Sequence, residues 1–173
     1  MLRISVVALF IVAGVVRADD APKLEWKEFK SEEGRFKGLM PGTPKTMDQD
    51  IPTPLGKVKN HMFLVEVNND LVYMLSYIDY PDAISNVNPQ DILKGVGAAM
   101  KAKGDLLSDK ELTLGKDKVP GYEVIGNQGA MKMRNRIFLD KNRMYQVTLV
   151  AKTKDEMTTK DAEKFYDSFE ITK

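Results

Sequence analysis

From Val58 to Val67, and again from Leu71 to Tyr80, β-branched and aromatic residues dominate, and Asn68-Asn69-Asp70 between them carries turn chemistry. The pattern predicts a hairpin. Its second arm is apolar on both alternating sets, with Tyr73, Leu75 and Tyr77 on one and Val72, Met74 and Ile78 on the other. A strand with two dry faces belongs in the interior of a sheet that is covered on both sides.

Further strands are predicted at Trp26 to Phe29 and Arg35 to Leu39, joined by Glu32-Glu33-Gly34, and near Leu106 to Leu114, Gly121 to Gly126, Ala130 to Leu139 and Arg143 to Ala151. The stretch "MPGTP", Met40 to Pro44, interrupts pairing, since proline lacks the ladder donor and glycine loosens the backbone. "IPTPLG", Ile51 to Gly56, reads as a second break.

Two segments switch to helical spacing. Asn88-Pro89-Gln90-Asp91 offers an N-cap asparagine, proline at the first helical position and an early acid. Ile92, Leu93, Val96, Ala99 and Met100 follow at helical intervals, and Gly104 can close the end. Thr158 with Asp161 three residues on predicts the second start, and Ala162, Phe165, Tyr166 and Phe169 form its apolar stripe. Few helices and many hairpins give an α+β fold, a mainly antiparallel β-sheet with two helices packed on it. There is no internal repeat and no low-complexity run.

The N-terminus changes where this domain is expected to be found. "MLRISVVALFIVAGVVRADD" has a basic Arg3, an apolar stretch from Ile4 to Val16 and small residues around Ala18. That is the layout of a cleaved secretory signal, too short for a comfortable membrane span. The expected division is a signal peptide at 1–18, a short polar lead-in at 19–25 and a single α+β domain at 26–173. Losing Arg3 and Arg17 takes Lys+Arg from 26 to 24 against 25 acids, a net charge of about −1. A chain this close to neutral is no general nucleic-acid or membrane binder, and any such role needs a local patch. Cysteine is absent, so an exported domain of this size relies on its core alone. Secretion or a periplasmic location is the expectation.

Candidate chemistry is sparse. With no cysteine and one histidine, thiol catalysis, Cys/His zinc sites and most multi-histidine metal sites are excluded. His61 shares a strand face with Phe63 and Val65, which suits a packed residue better than a catalyst. No Gly-x-Ser-x-Gly turn and no glycine-rich phosphate loop occurs. Asp79 to Asp82, "DYPD", reads as a turn before it reads as a calcium ligand set, because no calcium-loop spacing accompanies it. Met131, Met133 and Met144 admit a soft-metal site, but core filling explains them as well. No catalytic, cofactor-binding or metal-ligating residue is assigned, and no cofactor is expected.

One segment does suggest a partner. "MKMRNRIFLDKNRMYQV", 131 to 147, holds five basic side chains. With Asp140-Lys141-Asn142 as a three-residue loop, Leu139 pairs with Arg143, Ile137 with Tyr145, Asn135 with Val147 and Met133 with Leu149, all on one face. Lys132, Arg134, Arg136, Gln146 and Thr148 collect on the other. The stripe then reads as the solvated side of the hairpin. The competing reading makes Lys132, Arg134 and Arg136 an anion-binding site for carboxylate, sulfate or phosphate groups on an anionic polymer or acidic protein surface.

The order of features resembles small exported bacterial proteins with a PsbP-like fold. The resemblance runs from Trp26 to Ile171 and is carried by Phe36 with Pro41-Gly42-Thr43-Pro44, by the hairpin from Arg136 to Tyr145, and by Phe165 with Ser168-Phe169. It implies an antiparallel sheet sandwiched by helices, in a group that includes an extrinsic subunit of photosystem II and a binder of a small GTPase and shares no catalytic set. The functional expectation is an exported, non-enzymatic binding or accessory domain. Two alternatives stand beside it. One is a small carboxylate-dependent hydrolase with His61 as helper, which needs acids converging in a pocket. The other is a carrier of lipid or apolar ligand, which needs a large dry cavity between sheet and helix.

Overall fold

The computed structural model describes residues 24–53 and 56–172. The predicted signal at 1–18, and most of the lead-in, lie outside the described residues. Ten strands and two helices follow in the order β1 (Trp26–Ser31), β2 (Phe36–Pro41), β3 (Lys45–Thr53), β4 (Gly56–Asn68), β5 (Leu71–Asp79), α1 (Pro89–Ala102), β6 (Leu106–Leu114), β7 (Val119–Gln128), β8 (Met131–Asp140), β9 (Arg143–Ala151), α2 (Lys160–Asp167) and β10 (Glu170–Ile171). Seven strands form an antiparallel sheet in the order β3-β4-β5-β9-β8-β7-β6, and β1-β2-β10 form a second, small sheet.

The doubly apolar β5 sits third from one edge of the main sheet, between β4 and β9, and both of its faces are covered. One face packs Tyr73, Leu75 and Tyr77 with Tyr145, Val147 and Leu149 of β9 against Phe36 and Met40 of the small sheet and Ala162, Phe165 and Tyr166 of α2. On the other face, Ile78, Met144, Ile137 and Val124 pack under Ile92, Leu93 and Met100 of α1. The fold is thus the expected α+β sandwich with one helix on each side. The small sheet shares the layer of α2, a feature that strand patterning by itself does not reveal.

Local chemistry fixes α1 at both ends. Asn88 accepts a hydrogen bond from the Gln90 amide, Pro89 occupies the first turn, and Gly104 adopts the left-handed φ of +77° after the last turn. The chain then folds back tightly, with the Asn127 amide donating to the Asp105 carbonyl at 2.7 Å. A Cβ on Gly126 would stand 2.6 Å from that carbonyl oxygen, so only glycine lets α1 close onto β7 here.

Three expectations need correction. Ile51 to Thr53, read as the start of a break, belongs to a strand that runs from Lys45 to Thr53: β3 is the sheet edge, where proline is tolerated. The cap of α2 is Thr159, which accepts from the Ala162 amide, while Thr158 ends a preceding 3-10 turn. The β8–β9 turn has two residues, Lys141 and Asn142, so Asp140 pairs with Arg143 and Leu139 with Met144. A slip of one residue exchanges the faces of a whole strand. Lys132, Arg134 and Arg136 therefore share a face with Tyr145, Val147 and Leu149, on the side covered by α2, and the predicted wet face does not exist.

Candidate ligand-binding cleft

The three basic residues lie together as predicted, but most of their donors point inward. Arg134 is 5% exposed and Glu123 of β7 is 4% exposed. Arg134 Nε donates to Glu123 Oε2 at 2.9 Å, and its Nη1 donates to the Met157 carbonyl and to Glu163 of α2. Arg136 donates to Glu123 at 2.8 Å and to Asp167 at 3.1 Å. Both guanidinium groups lie over the Tyr166 ring, at 4.4 and 4.7 Å from its centroid, while the Tyr166 hydroxyl donates to the Arg134 carbonyl. Burial raises the Glu123 carboxyl, but the Arg136 hydrogen bond and the Arg134 charge outweigh it and hold the group below its ordinary range. The Arg134 guanidinium is shifted up: burial opposes its charge, and the Glu163 hydrogen bond with the Glu123 charge prevails. Lys132 donates to Asn127 Oδ1. This arrangement ties α2 to β7 and β8, with carboxylates paired to both arginines and an amide oxygen to Lys132.

His61 stands on the same side of the sheet. Its Nδ1 lies 2.9 Å from Asp48 Oδ1, and its ring stacks on Tyr77 at 4.6 Å. Asp79 accepts two 2.6 Å bonds from Arg143, and Asp82 accepts from Asn142, so the "DYPD" acids serve the turn.

The opposite face holds a different feature. Between α1 and the main sheet opens a cleft of about 270 Å³. Val96, Ala99 and Met100 of α1 form one wall, and the floor comes from alternate residues of β3, β4, β5, β9 and β8. Five methionines line it: Met62, Met74, Met100, Met133 and Met144. Unbranched thioether side chains adapt to irregular shapes at low cost. Lys103 and Gly129, both exposed, mark the mouth, with half-buried Asp105 beside them. Tyr80 lies in the wall, and burial pushes its hydroxyl pKa up.

Along this face of the sheet runs a band of neutral polar side chains, one or two from each strand, of which all but the fully buried Ser76 line the cleft. Gln49 of β3 faces Asn60 of β4, Ser76 of β5 faces Gln146 of β9, and Thr148 of β9 faces Asn135 of β8. The β8–β9 end is internally satisfied: Asn135 Nδ2 donates to Gln146 Oε1 at 2.8 Å, and Thr148 Oγ1 donates to Asn135 Oδ1 at 3.1 Å. The β4–β5 end is not. Asn60 is 7% exposed and Ser76 is 0% exposed, yet Asn60 Oδ1 and Ser76 Oγ find no hydrogen-bond partner among the described residues, nor does Gln128 Oε1 at the far end of the cleft. Buried polar atoms are nearly always paired, so such orphans call for an explanation.

The signal for this site is present in each strand as a single polar residue inside an apolar alternating set: Asn60 between Val58 and Met62, Ser76 between Met74 and Ile78, Asn135 between Met133 and Ile137. Only the pairing register joins them into one band. With the shifted β8–β9 register, Gln146 and Thr148 fall among the arginines and the band disappears.

No family model matches the chain, and no curated protein matches it. Among solved structures it is similar to the solution structure of cyanobacterial PsbP (CyanoP) from Synechocystis sp. PCC 6803, with 12% sequence identity and a TM-score of 0.53 over 90% of this chain and 98% of that one. The chain has a PsbP-like fold. Fold and function are separable, so the likeness carries no activity with it. Among the described residues no helix is long and apolar enough to cross a membrane.

Proposed function

We propose that this chain is an exported, non-enzymatic binding domain of PsbP-like fold, and that its ligand is a small, mainly apolar molecule held in the cleft between α1 and the main sheet. The observation that carries the reading is a concave, methionine-lined space of about 270 Å³ whose charged lining residues, Lys103 and Asp105, stand at its mouth. The N-terminal pattern supports export. The charged groups lining the cleft are Lys103 and Asp105, near its mouth, while His61 and the arginine–carboxylate cluster lie across the sheet; a hydrolase would bring such groups into the pocket.

The test is uptake of the neutral fluorophore N-phenyl-1-naphthylamine by the chain lacking residues 1–18. Saturable fluorescence enhancement is expected in the wild type. Ala99→Trp, which grows a large ring from α1 into the cleft, should abolish it while leaving circular dichroism and the unfolding transition intact. No uptake, or uptake unchanged by Ala99→Trp, rules the cleft out as the site.

A further inference from the structure

We infer that the ligand of this cleft carries an uncharged carbonyl oxygen on its apolar body, and that this oxygen accepts a hydrogen bond from Asn60 Nδ2. This rests on the cleft reading above and adds the head-group chemistry. Six side-chain amides line the cleft: Gln49, Asn60, Asn127, Gln128, Asn135 and Gln146. Asn135 is engaged at both ends, accepting from Thr148 and donating to Gln146. In four of the others the oxygen is withdrawn: Gln146 Oε1 is taken by Asn135, Asn127 Oδ1 is taken by Lys132, and Asn60 Oδ1 and Gln128 Oε1 are enclosed. The nitrogens of those four have no partner among the described residues and are not enclosed, so these amides offer the cleft donors. Gln49, half-buried on the edge strand, can present either end.

Among these donors Asn60 is the one set into the floor. The residue is 7% exposed, whereas Asn127, Gln128 and Gln146 are half-buried. Turning its amide round would enclose a pair of N–H donors in place of one acceptor, so the nitrogen stays towards the cleft. A ligand must therefore bring an acceptor. A carboxylate can accept there, but it would be desolvated among neutral groups, and at the mouth the Lys103 charge is offset by Asp105. A hydroxyl can accept too, yet its own proton then meets amide oxygens that are enclosed or already bonded. A carbonyl brings acceptor lone pairs, no proton and no charge. The methionines enclose the body beside it without demanding one shape.

Displacement of N-phenyl-1-naphthylamine tests the contact. The competitors are 2-octanone and 2-methyl-1-octene, which has a methylene in place of the oxygen and otherwise the same skeleton. Their affinities are compared as a ratio, because the alkene leaves water more readily whatever the protein offers. Asn60→Leu should lower the ketone-to-alkene ratio about fivefold, the worth of one net hydrogen bond. Asn60→Ala serves the same purpose should the leucine variant not fold. A ratio unchanged by these variants overturns the inference and leaves the cleft reading standing. Displacement by 2-octanol or octanoate at lower concentrations than 2-octanone in the wild type overturns the choice of an uncharged carbonyl in the same way. Absence of probe uptake removes the cleft reading and this inference together.

Discussion

Glu123 and Arg134 meet at 2.9 Å inside the protein, each about 5% exposed, on neighbouring strands beneath α2. A buried pair of this kind is costly to break and cheap to replace, because a lone charge left in the interior has no compensation. Arg134→Met should lower unfolding free energy by less than the about 3–5 kcal/mol of a fully orphaned partner, because Arg136 at 2.8 Å and Lys110 at 3.2 Å still pair with Glu123, and Glu123→Leu with Arg134→Met should recover part of that loss. Urea denaturation of the single and double variants measures both. A double variant no better than the single would show that the Met157 carbonyl and Glu163 contacts, and not Glu123, are what Arg134 serves.

The same carboxylate sets an acid limit. Its folded-state pKa lies below the ordinary value of 4.5, so the folded protein binds that proton more weakly than the unfolded chain does. The stabilisation is fully present above the unfolded value and is lost as pH falls through the folded one. Stability should therefore drop below about pH 4.5, and Glu123→Gln should flatten part of that drop while lowering stability at neutral pH. Thermal midpoints between pH 3 and 7 for the two proteins decide it. Parallel curves would assign the acid sensitivity to other carboxylates.

At high pH the tyrosines act in the other direction. Tyr73, Tyr77 and Tyr122 are pushed up to about 12, chiefly by burial, with Asp161, Glu33 and Asp109 respectively adding to the shift. Their neutral forms are favoured in the folded state, so the associated stability is present below pH 10 and disappears as pH rises towards 12. Ultraviolet titration of the folded chain should show a group of the six tyrosines ionising late, with unfolding accompanying that last step. All six titrating together near pH 10 would mean that these rings are not held as described.

What could be read along the chain was what the chain encodes locally. The start of α1 needs only Asn88, Pro89 and the periodicity behind them, and the interior position of β5 needs only its two apolar sets. The β3 strand was hidden because an edge strand is permitted to be polar and to carry Pro52, which are also the marks of a loop. The hairpin failed on one residue: Lys141 takes a left-handed φ of 57°, closing the turn in two residues where a lysine gives no hint of it. That single count moved Arg134 and Arg136 from a solvated face into the interior and dissolved the band from Asn60 to Thr148. A site assembled from five strands is legible only once all of their registers are right.

The turn residue is itself testable. Left-handed backbone costs an ordinary residue about 1–2 kcal/mol, and glycine escapes that cost while losing more entropy on folding. Lys141→Gly should therefore stabilise the protein by about 0.5 kcal/mol, whereas Lys141→Val, β-branched and intolerant of positive φ, should destabilise it by 1 kcal/mol or about that. The sign difference between the two, read from chemical denaturation, checks the two-residue turn and with it the register on which the cleft depends.

Asn60 offers the converse of a stabilising residue. Its side-chain oxygen is buried without a partner on the floor of an apolar cleft, so replacing it with leucine removes an uncompensated polar group and adds apolar contact with Met62 and Ile78 around it. Exchange of a buried polar group for an apolar one of similar size is close to neutral or stabilising, and here the gain should be about 1 kcal/mol. Ser76→Ala should act in the same direction with a smaller effect. Calorimetry of Asn60→Leu against the wild type completes the argument: the variant should unfold at a higher temperature. A variant that unfolds lower without ligand would give Asn60 a structural task in joining β3 to β4 and leave the orphan oxygen to be explained by the sheet.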